Sequence, residues 1–199
     1  MELLEPTASN LIRAATALKA GEVVAYPTET VYGLGVDPFQ EAAIEKLYEA
    51  KGRERDQAIL LIVADEEQLR SVVSAIPPSA RPYMEAFWPG PLSLLLPKHP
   101  DLPEAIAPGK DKICVRCPGS AESRALCRAF GGALTSTSAN RSGQPPVTSL
   151  ENLRLPGVAL GIDGGILPPA APSTILDPES GQVLRAGAIS QAQIDNVHS

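Results

Sequence analysis

Histidine is almost missing from this sequence: only His99 and His198 occur, in polar or terminal surroundings. A Ser-His-Asp or Cys-His catalytic engine is therefore not expected. Cysteine is scarce as well. Cys114, Cys117 and Cys127 are an odd number, spread too thinly for a disulfide framework, and a reduced, cytoplasmic setting follows. Cys114 and Cys117 have C-x-x-C spacing, but no second pair or nearby histidine completes a zinc site, so core packing is the better reading. Aromatic residues make up only 4% of the chain, so the core has to be built from Val, Ile, Leu and Ala. No stretch approaches the length of a membrane span, and residues 1–6 carry no basic segment leading into a long apolar one, so neither membrane insertion nor a signal peptide is expected. There is no G-x-x-x-x-G-K-[ST], and Gly33-Leu34-Gly35 lacks the third glycine of a dinucleotide fingerprint. Basic excess is also lacking. The net charge is −6, which weighs against a protein whose task is gripping a nucleic-acid backbone without excluding a local basic site.

What is present reads as one ordinary globular domain over residues 1–199. Hydrophobic residues are 44% and charged residues 20%, near average usage. The twenty prolines predict rigid turns rather than disorder. Apolar periodicity predicts helices over 9–20 (Leu11, Ile12, Ala15 and Leu18 on one face), 41–51, 65–73, 79–87 and 121–130, with short ones near 150–155 and 190–197. Strands are predicted over 23–26, 58–63, 92–96, 113–116, 158–162, 173–176 and 183–185, with 133–136 leading into a polar loop. The 58–63 run is continuously apolar, as expected of a strand buried on both faces. Strands alternating with helices predict an α/β or mixed α+β sheet.

Three clusters could carry chemistry. Gly21 to Asp37 reads G-E-V-V-A-Y-P-T-E-T-V-Y-G-L-G-V-D: a short strand that leaves through Thr28, Glu29 and Thr30 toward two glycines. Such an exit can present a small polar ligand to hydroxyls and backbone donors, and it can equally be a turn between two core strands. Lys51-Gly52-Arg53-Glu54-Arg55 ends the second predicted helix. Lys51 and Arg53 can reach an anion, or Lys51 can simply complement the helix dipole within a solvated charge run. Ser136 to Gly143, S-T-S-A-N-R-S-G, packs hydroxyls, an amide and a guanidinium behind a core strand, which favours a ligand loop over a self-bonded turn. Arg116 and Arg185 each stand alone at the end of an apolar strand, the latter downstream of Ser173-Thr174. In isolation such residues read as structural ion pairs.

Taken together, Y-P-T-E-T-V-Y-G-L-G at 26–35, K-G-R at 51–53, F-W-P-G-P-L at 87–92, Val115-Arg116, S-T-S-A-N-R-S-G at 136–143, Ser173-Thr174-Ile175 and Leu184-Arg185 resemble the YrdC-like threonylcarbamoyl-AMP synthase family in its short form. The motif-bearing region is 21–187. The resemblance implies a twisted mixed sheet flanked by helices around a concave, positive cleft. It implies condensation of L-threonine, bicarbonate or CO2, and ATP into threonylcarbamoyl-AMP and pyrophosphate. Protein partners of a tRNA threonylcarbamoyl-transfer complex would then modify the adenosine beside the anticodon, with direct tRNA binding weak or none. By family position, Lys51, Arg53, Gln57, Ser138, Asn140 and Arg185 contact ATP, with Lys51 and Arg53 catalytic. Thr30, Arg116, Ser136 and Ser173 hold threonine. Mg2+ rides on the triphosphate rather than on a protein cage. Glu29 is left without a role, and Tyr26 and Tyr32 are taken as wall and packing residues. The sequence departs from many relatives at Glu54, Gln57, Ala58, Ile62, Lys112, Pro146 and Ala186. Two other readings stay open: an RNA-binding or ribosome-associated module using the same cleft, with the cations at 51, 53, 55, 116, 141 and 185 on a backbone, and a related carbamoyl-adenylate enzyme with another acceptor.

Overall fold

The computed structural model describes residues 1–198. Two mixed sheets share the chain. One contains β1 (Glu2–Leu4), β2 (Val23–Tyr26), β3 (Gly33–Gly35), β8 (Thr137–Ser138) and β9 (Val158–Ile162), in the order β1-β9-β2-β3-β8. The other contains β4 (Leu61–Ile62), β5 (Leu92–Pro97), β6 (Lys112–Arg116), β7 (Leu134–Thr135), β10 (Thr174–Asp177) and β11 (Gln182–Arg185), in the order β11-β10-β5-β6-β4-β7. Both mix parallel and antiparallel neighbours: β2 runs parallel to β9 and antiparallel to β3, and β4 parallel to β6 and antiparallel to β7.

Helices α1 (Ala8–Lys19), α2 (Glu41–Lys51), α3 (Glu66–Arg70), α4 (Arg81–Phe87), α5 (Ala121–Phe130) and α6 (Gln191–Asp195) cover these sheets. Their starts follow local chemistry. Thr7, Asp65, Ser120 and Ser190 each accept a backbone N–H from the first turn, the N-cap bond that isolated helix ends need. Gly52 and Gly131 end α2 and α5 in the left-handed region, at φ 57° and 89°, where a side chain would be strained.

Strand alternation divides the interior. Val24 and Tyr26 of β2, with Ile62 and Leu134, pack with Leu11, Ala14 and Leu18 of α1 and Leu126 and Cys127 of α5. Val23, Ala25, Leu61 and Val63 face the larger core. The 58–63 run is thus buried on both faces as its composition predicts, but only Leu61–Ile62 is paired strand. The predicted helical face of α1 is corrected at Ile12, which is 61% exposed, while Ala14 takes an inner position. Residues 31–37, read either as a ligand loop or as a turn, contain a full strand, β3, paired with β2. At the other edge β1 pairs with β9, Glu2 opposite Leu160 and Leu3 opposite Gly161, a strand that three residues were too short to announce.

The sheets meet where the chain leaves β7, passes Ser136 and enters β8. Ser136 N–H donates to Leu60 O at 2.7 Å and Thr135 N–H to Val36 O at 3.1 Å. Thr135 Oγ1 accepts from Val36 N–H at 2.9 Å, and Tyr26 Oη donates to Thr135 O at 2.8 Å. Tyr26 and Tyr32 are fully buried, which makes them the packing residues expected. Gly35 lies against this junction: a Cβ there would sit 2.7 Å from the Tyr26 ring and 3.1 Å from Thr135 O. Gly35→Ala should therefore lower unfolding free energy by about 1–3 kcal/mol, read from urea midpoints at unchanged slope.

Candidate functional site

A cavity of about 710 Å3 opens between the two sheets. The loop at 27–32 supplies Thr28 and Thr30, and the β7–β8 crossover supplies Ser136, Thr137 and Ser138. Arg116 enters from the end of β6, Ser173 from the start of β10 and Arg185 from the end of β11. Arg53 projects from the segment after α2. Residues that were far apart in sequence and individually ambiguous, Thr30, Arg53, Arg116, Ser136, Ser138, Ser173 and Arg185, thus line one space. Its charged lining residues are all cationic: Arg53, Lys110, Lys112, Arg116 and Arg185.

Each cation is held differently. Arg53 donates through Nη1 to Thr137 Oγ1 at 3.1 Å and through Nη2 to Ala58 O at 2.7 Å, while its buried Nε has no acceptor. Arg185 donates through Nε and Nη2 to Ser173 O at 3.2 and 2.8 Å, and through Nη2 to Ser173 Oγ at 2.9 Å; Ser173 Oγ pairs with Ser93 Oγ at 2.9 Å. Burial lowers the pKa of both guanidinium groups. Arg116 is 4% exposed, and its buried Nε also lacks an acceptor. Lys112 is largely compensated, by Asp177 at 3.2 Å and Glu179 at 2.6 Å. Buried donors without acceptors cost free energy, so Arg53 and Arg116 are poised for an anion. The loop hydroxyls are pre-arranged: Thr28 Oγ1 and Thr30 Oγ1 lie 3.0 Å apart, and Thr28 Oγ1 accepts the N–H groups of Thr30 and Val31.

Three expected ligand contacts do not line the cavity. Lys51 is 2% exposed and donates to Ser138 O at 2.5 Å and Asn140 O at 2.8 Å. It ends α2 just before left-handed Gly52 and braces the 138–140 loop from behind. Asn140 Nδ2 donates to Arg141 O and Gln144 O at 2.9 and 2.6 Å, with Oδ1 buried and unpartnered. Gln57 has an exposed side chain, and its carbonyl accepts from Tyr48 Oη at 3.0 Å. Conversely, sequence reasoning missed Lys110 and Cys114 as cavity residues, and placed Thr137 in the ligand loop without giving it a contact. Cys114 is not simply core. Burial pushes its thiol up to about 11, against the lowering effect of Arg185 and Arg116. Alternation was the available signal, since Cys114 lies two residues from Arg116 on one strand face. Cys117, in contrast, is buried, with its Sγ 3.5 Å from Ala64 O.

Lys51 also makes pH a probe. Burial, and then the nearby Arg53 charge, depress its pKa from 10.5 to about 8. Between those values the unfolded chain binds the extra proton, so this group raises folding stability as pH climbs from about 8 to 10.5. The buried tyrosines and thiols, shifted upward, act in the opposite direction. The difference in unfolding free energy between wild type and Lys51→Met should therefore grow over that window by up to about 3 kcal/mol.

Among the described residues, no group of His, Cys, Asp or Glu could hold a metal ion, and no helix is long and apolar enough to cross a membrane.

The chain is similar to known proteins in sequence and fold. A curated threonylcarbamoyl-AMP synthase of Nitrosococcus oceani is 43% identical over 178 residues, covering 86% of this chain and 95% of that protein. One from Alkalilimnicola ehrlichii is 44% identical over 182 residues, covering 86% and 93%. A crystal structure of P. abyssi Sua5 complexed with L-threonine superposes with a TM-score of 0.91 at 33% identity, over 98% of this chain. This chain spans 59% of the length of that protein. The Sua5/YciO/YrdC family model, described as telomere recombination, matches residues 16–187, and the chain belongs to this family.

Proposed function

We propose that the protein is a threonylcarbamoyl-AMP synthase, a nucleotidyl-transferring enzyme that condenses L-threonine, bicarbonate or CO2, and ATP into threonylcarbamoyl-AMP and pyrophosphate. One observation carries the reading: a cavity of about 710 Å3 whose charged lining residues are all cationic, with unpartnered buried donors on Arg53 and Arg116 and a ring of fixed hydroxyls. The substrates are a polyanion and an amino acid, and the space holds groups suited to both.

Arg53, Ser138 and Arg185 contact ATP, and Thr30, Arg116, Ser136 and Ser173 hold threonine, with Arg116 on its carboxylate. Lys51 and Asn140 act on ATP through the loop they fix, which carries Ser138. A carbamate on the threonine amine attacks the α-phosphorus of ATP, an oxygen–phosphorus bond forms, and pyrophosphate leaves with the electron pair of the broken bond. Charge grows on the phosphate oxygens during this displacement, and fixed guanidinium groups stabilise it without reorganising. The side chains need form no covalent intermediate. Mg2+ would come with the nucleotide and would supply charge screening on the triphosphate.

The product serves a partner-dependent transfer to the tRNA adenosine beside the anticodon, in the cytoplasm, where three free thiols are stable. Of the cations an RNA surface would use, Lys51 and Arg116 are buried and Arg55 is paired with Glu45. Pyrophosphate release measured with each substrate withheld in turn tests the function. Release requiring both threonine and bicarbonate supports it, and release indifferent to threonine refutes it. Tight tRNA binding with a steep salt slope and no nucleotide binding would return the RNA-module reading.

A further inference from the structure

Between Thr28 and Thr30, the half-buried Glu29 is approached from two sides by neighbouring elements. Its Oε1 lies 3.4 Å from Nη1 of Arg116, whose side chain is 5% exposed. The carboxylate is held from its far side too. Ser120 N–H, at the N-cap of α5, approaches Oε2 at 3.5 Å. Gly119 lies under the Glu29 stem, so closely that a Cβ there would meet Glu29 Cγ at 3.4 Å. Two residues upstream, Pro27 O accepts the hydroxyls of Ser120 and Ser123 at 3.2 and 2.6 Å. The 27–32 loop, the end of β6 and the start of α5 therefore converge on one ion pair. Within it, Glu29 Oε1 and Arg116 Nε are both buried without a hydrogen-bond partner.

We propose that Glu29 is a positioning residue for amino-acid recognition. It holds Arg116 by one edge and thereby presents the remaining guanidinium donors to a substrate carboxylate in one orientation. The inference rests on the reading of this end of the cavity as the threonine site. Two effects compete. Glu29 repels the incoming carboxylate, and it orients the cation that binds it. The substrate is a zwitterion, so attraction to its ammonium offsets much of the repulsion, and the orienting effect prevails. A guanidinium held in place loses less freedom when a carboxylate docks. It is also retained at a buried position where an unpaired charge would be costly.

The test compares wild type, Glu29→Gln, Arg116→Met and the double variant, by titration calorimetry with threonine and by steady-state kinetics. Glutamine keeps the shape and the acceptor facing Ser120 but removes the charge. Expected is a rise of roughly tenfold or more in threonine Kd and KM, the size of one charge-assisted hydrogen bond. The KM for ATP and kcat should stay within about twofold. In the Arg116→Met background the same substitution should weaken threonine binding no further, and should tighten it slightly by removing the repulsion, because the favourable effect of Glu29 acts through Arg116. Gly119→Val, which adds bulk against the Glu29 stem, should raise threonine KM in the same direction and covers the case in which Glu29→Gln folds poorly. Threonine affinity unchanged in Glu29→Gln while wild type binds, an equal rise in the KM for ATP, or a full tenfold effect persisting without Arg116 would each overturn the positioning role alone. Wild type that binds no threonine would overturn both this role and the synthase reading.

Discussion

Arg53→Ala is expected to reduce threonine-dependent turnover by roughly 100- to 1000-fold, with the melting temperature within about 4 °C of wild type. The asymmetry follows from where Arg53 sits. Its two internal bonds, to Thr137 Oγ1 and Ala58 O, line the cavity, so water can take over both acceptors once the side chain is gone. The lost guanidinium cannot be replaced at the phosphates, where charge develops. Lysine at this position should recover little, because a point charge lacks the planar fork that engages Thr137, Ala58 O and a ligand together. Turnover and melting temperature are measured on the same preparation. A melting temperature many degrees lower, with activity lost in proportion to folded protein, would make Arg53 a structural residue instead.

Arg116→Met is expected to raise the KM for threonine by roughly a hundredfold or more, within the 2–5 kcal/mol range for truncating one partner of a buried charge pair. ATP binding should change little, since the cations assigned to the nucleotide, Arg53 and Arg185, have their own supports in Thr137, Ala58 and Ser173. Methionine fills most of the volume, so the β6 end should stay packed. Glu29 is then left as a partly buried carboxylate without its counter-charge. A moderate loss of stability is therefore expected alongside the KM effect. The check is a pair of saturation curves, one in threonine and one in ATP. A rise in both KM values together would place Arg116 in shared scaffolding rather than on the amino acid.

The sequence made the motif residues visible but not always their orientation. Arg53, Arg116, Arg185 and the serines at 136, 138 and 173 are all within the cavity lining, because each sits at or beside the end of a strand or helix that anchors it. Lys51 carries the same motif, yet faces the other way. The left-handed turn at Gly52 separates Lys51 from Arg53, and the two carbonyls that capture its ammonium belong to a loop almost ninety residues downstream. No local pattern encodes that bond. Cys114 was hidden by its chemistry: a thiol on an apolar strand reads as core, and only the gap between the two sheets gives it a free side. The fold class was readable from alternation and capping. The division into two sheets was not, because it hinges on Ser136, a single residue at which β7 ends in one sheet and β8 begins in the other. The short β1 and β3 were likewise supplied by tertiary pairing rather than by propensity.

Glu29 illustrates a wider point about buried polar groups. The 27–32 loop is fastened by Thr28 hydroxyl bonds and by the Ser120 and Ser123 hydroxyls of the α5 start on Pro27 O, and that rigidity lets an ion pair with an unsatisfied edge persist. Such an arrangement is unfavourable in isolation and becomes useful when a ligand completes it.

The most direct test of the account is product identification by mass spectrometry. Purified protein is incubated with ATP, Mg2+, L-threonine and 13C-bicarbonate. The account predicts a threonine-containing acyl-adenylate that carries the label, together with pyrophosphate, and no such species when either threonine or bicarbonate is withheld. ATP consumption without a labelled adenylate, or no consumption at all from folded protein, would contradict it.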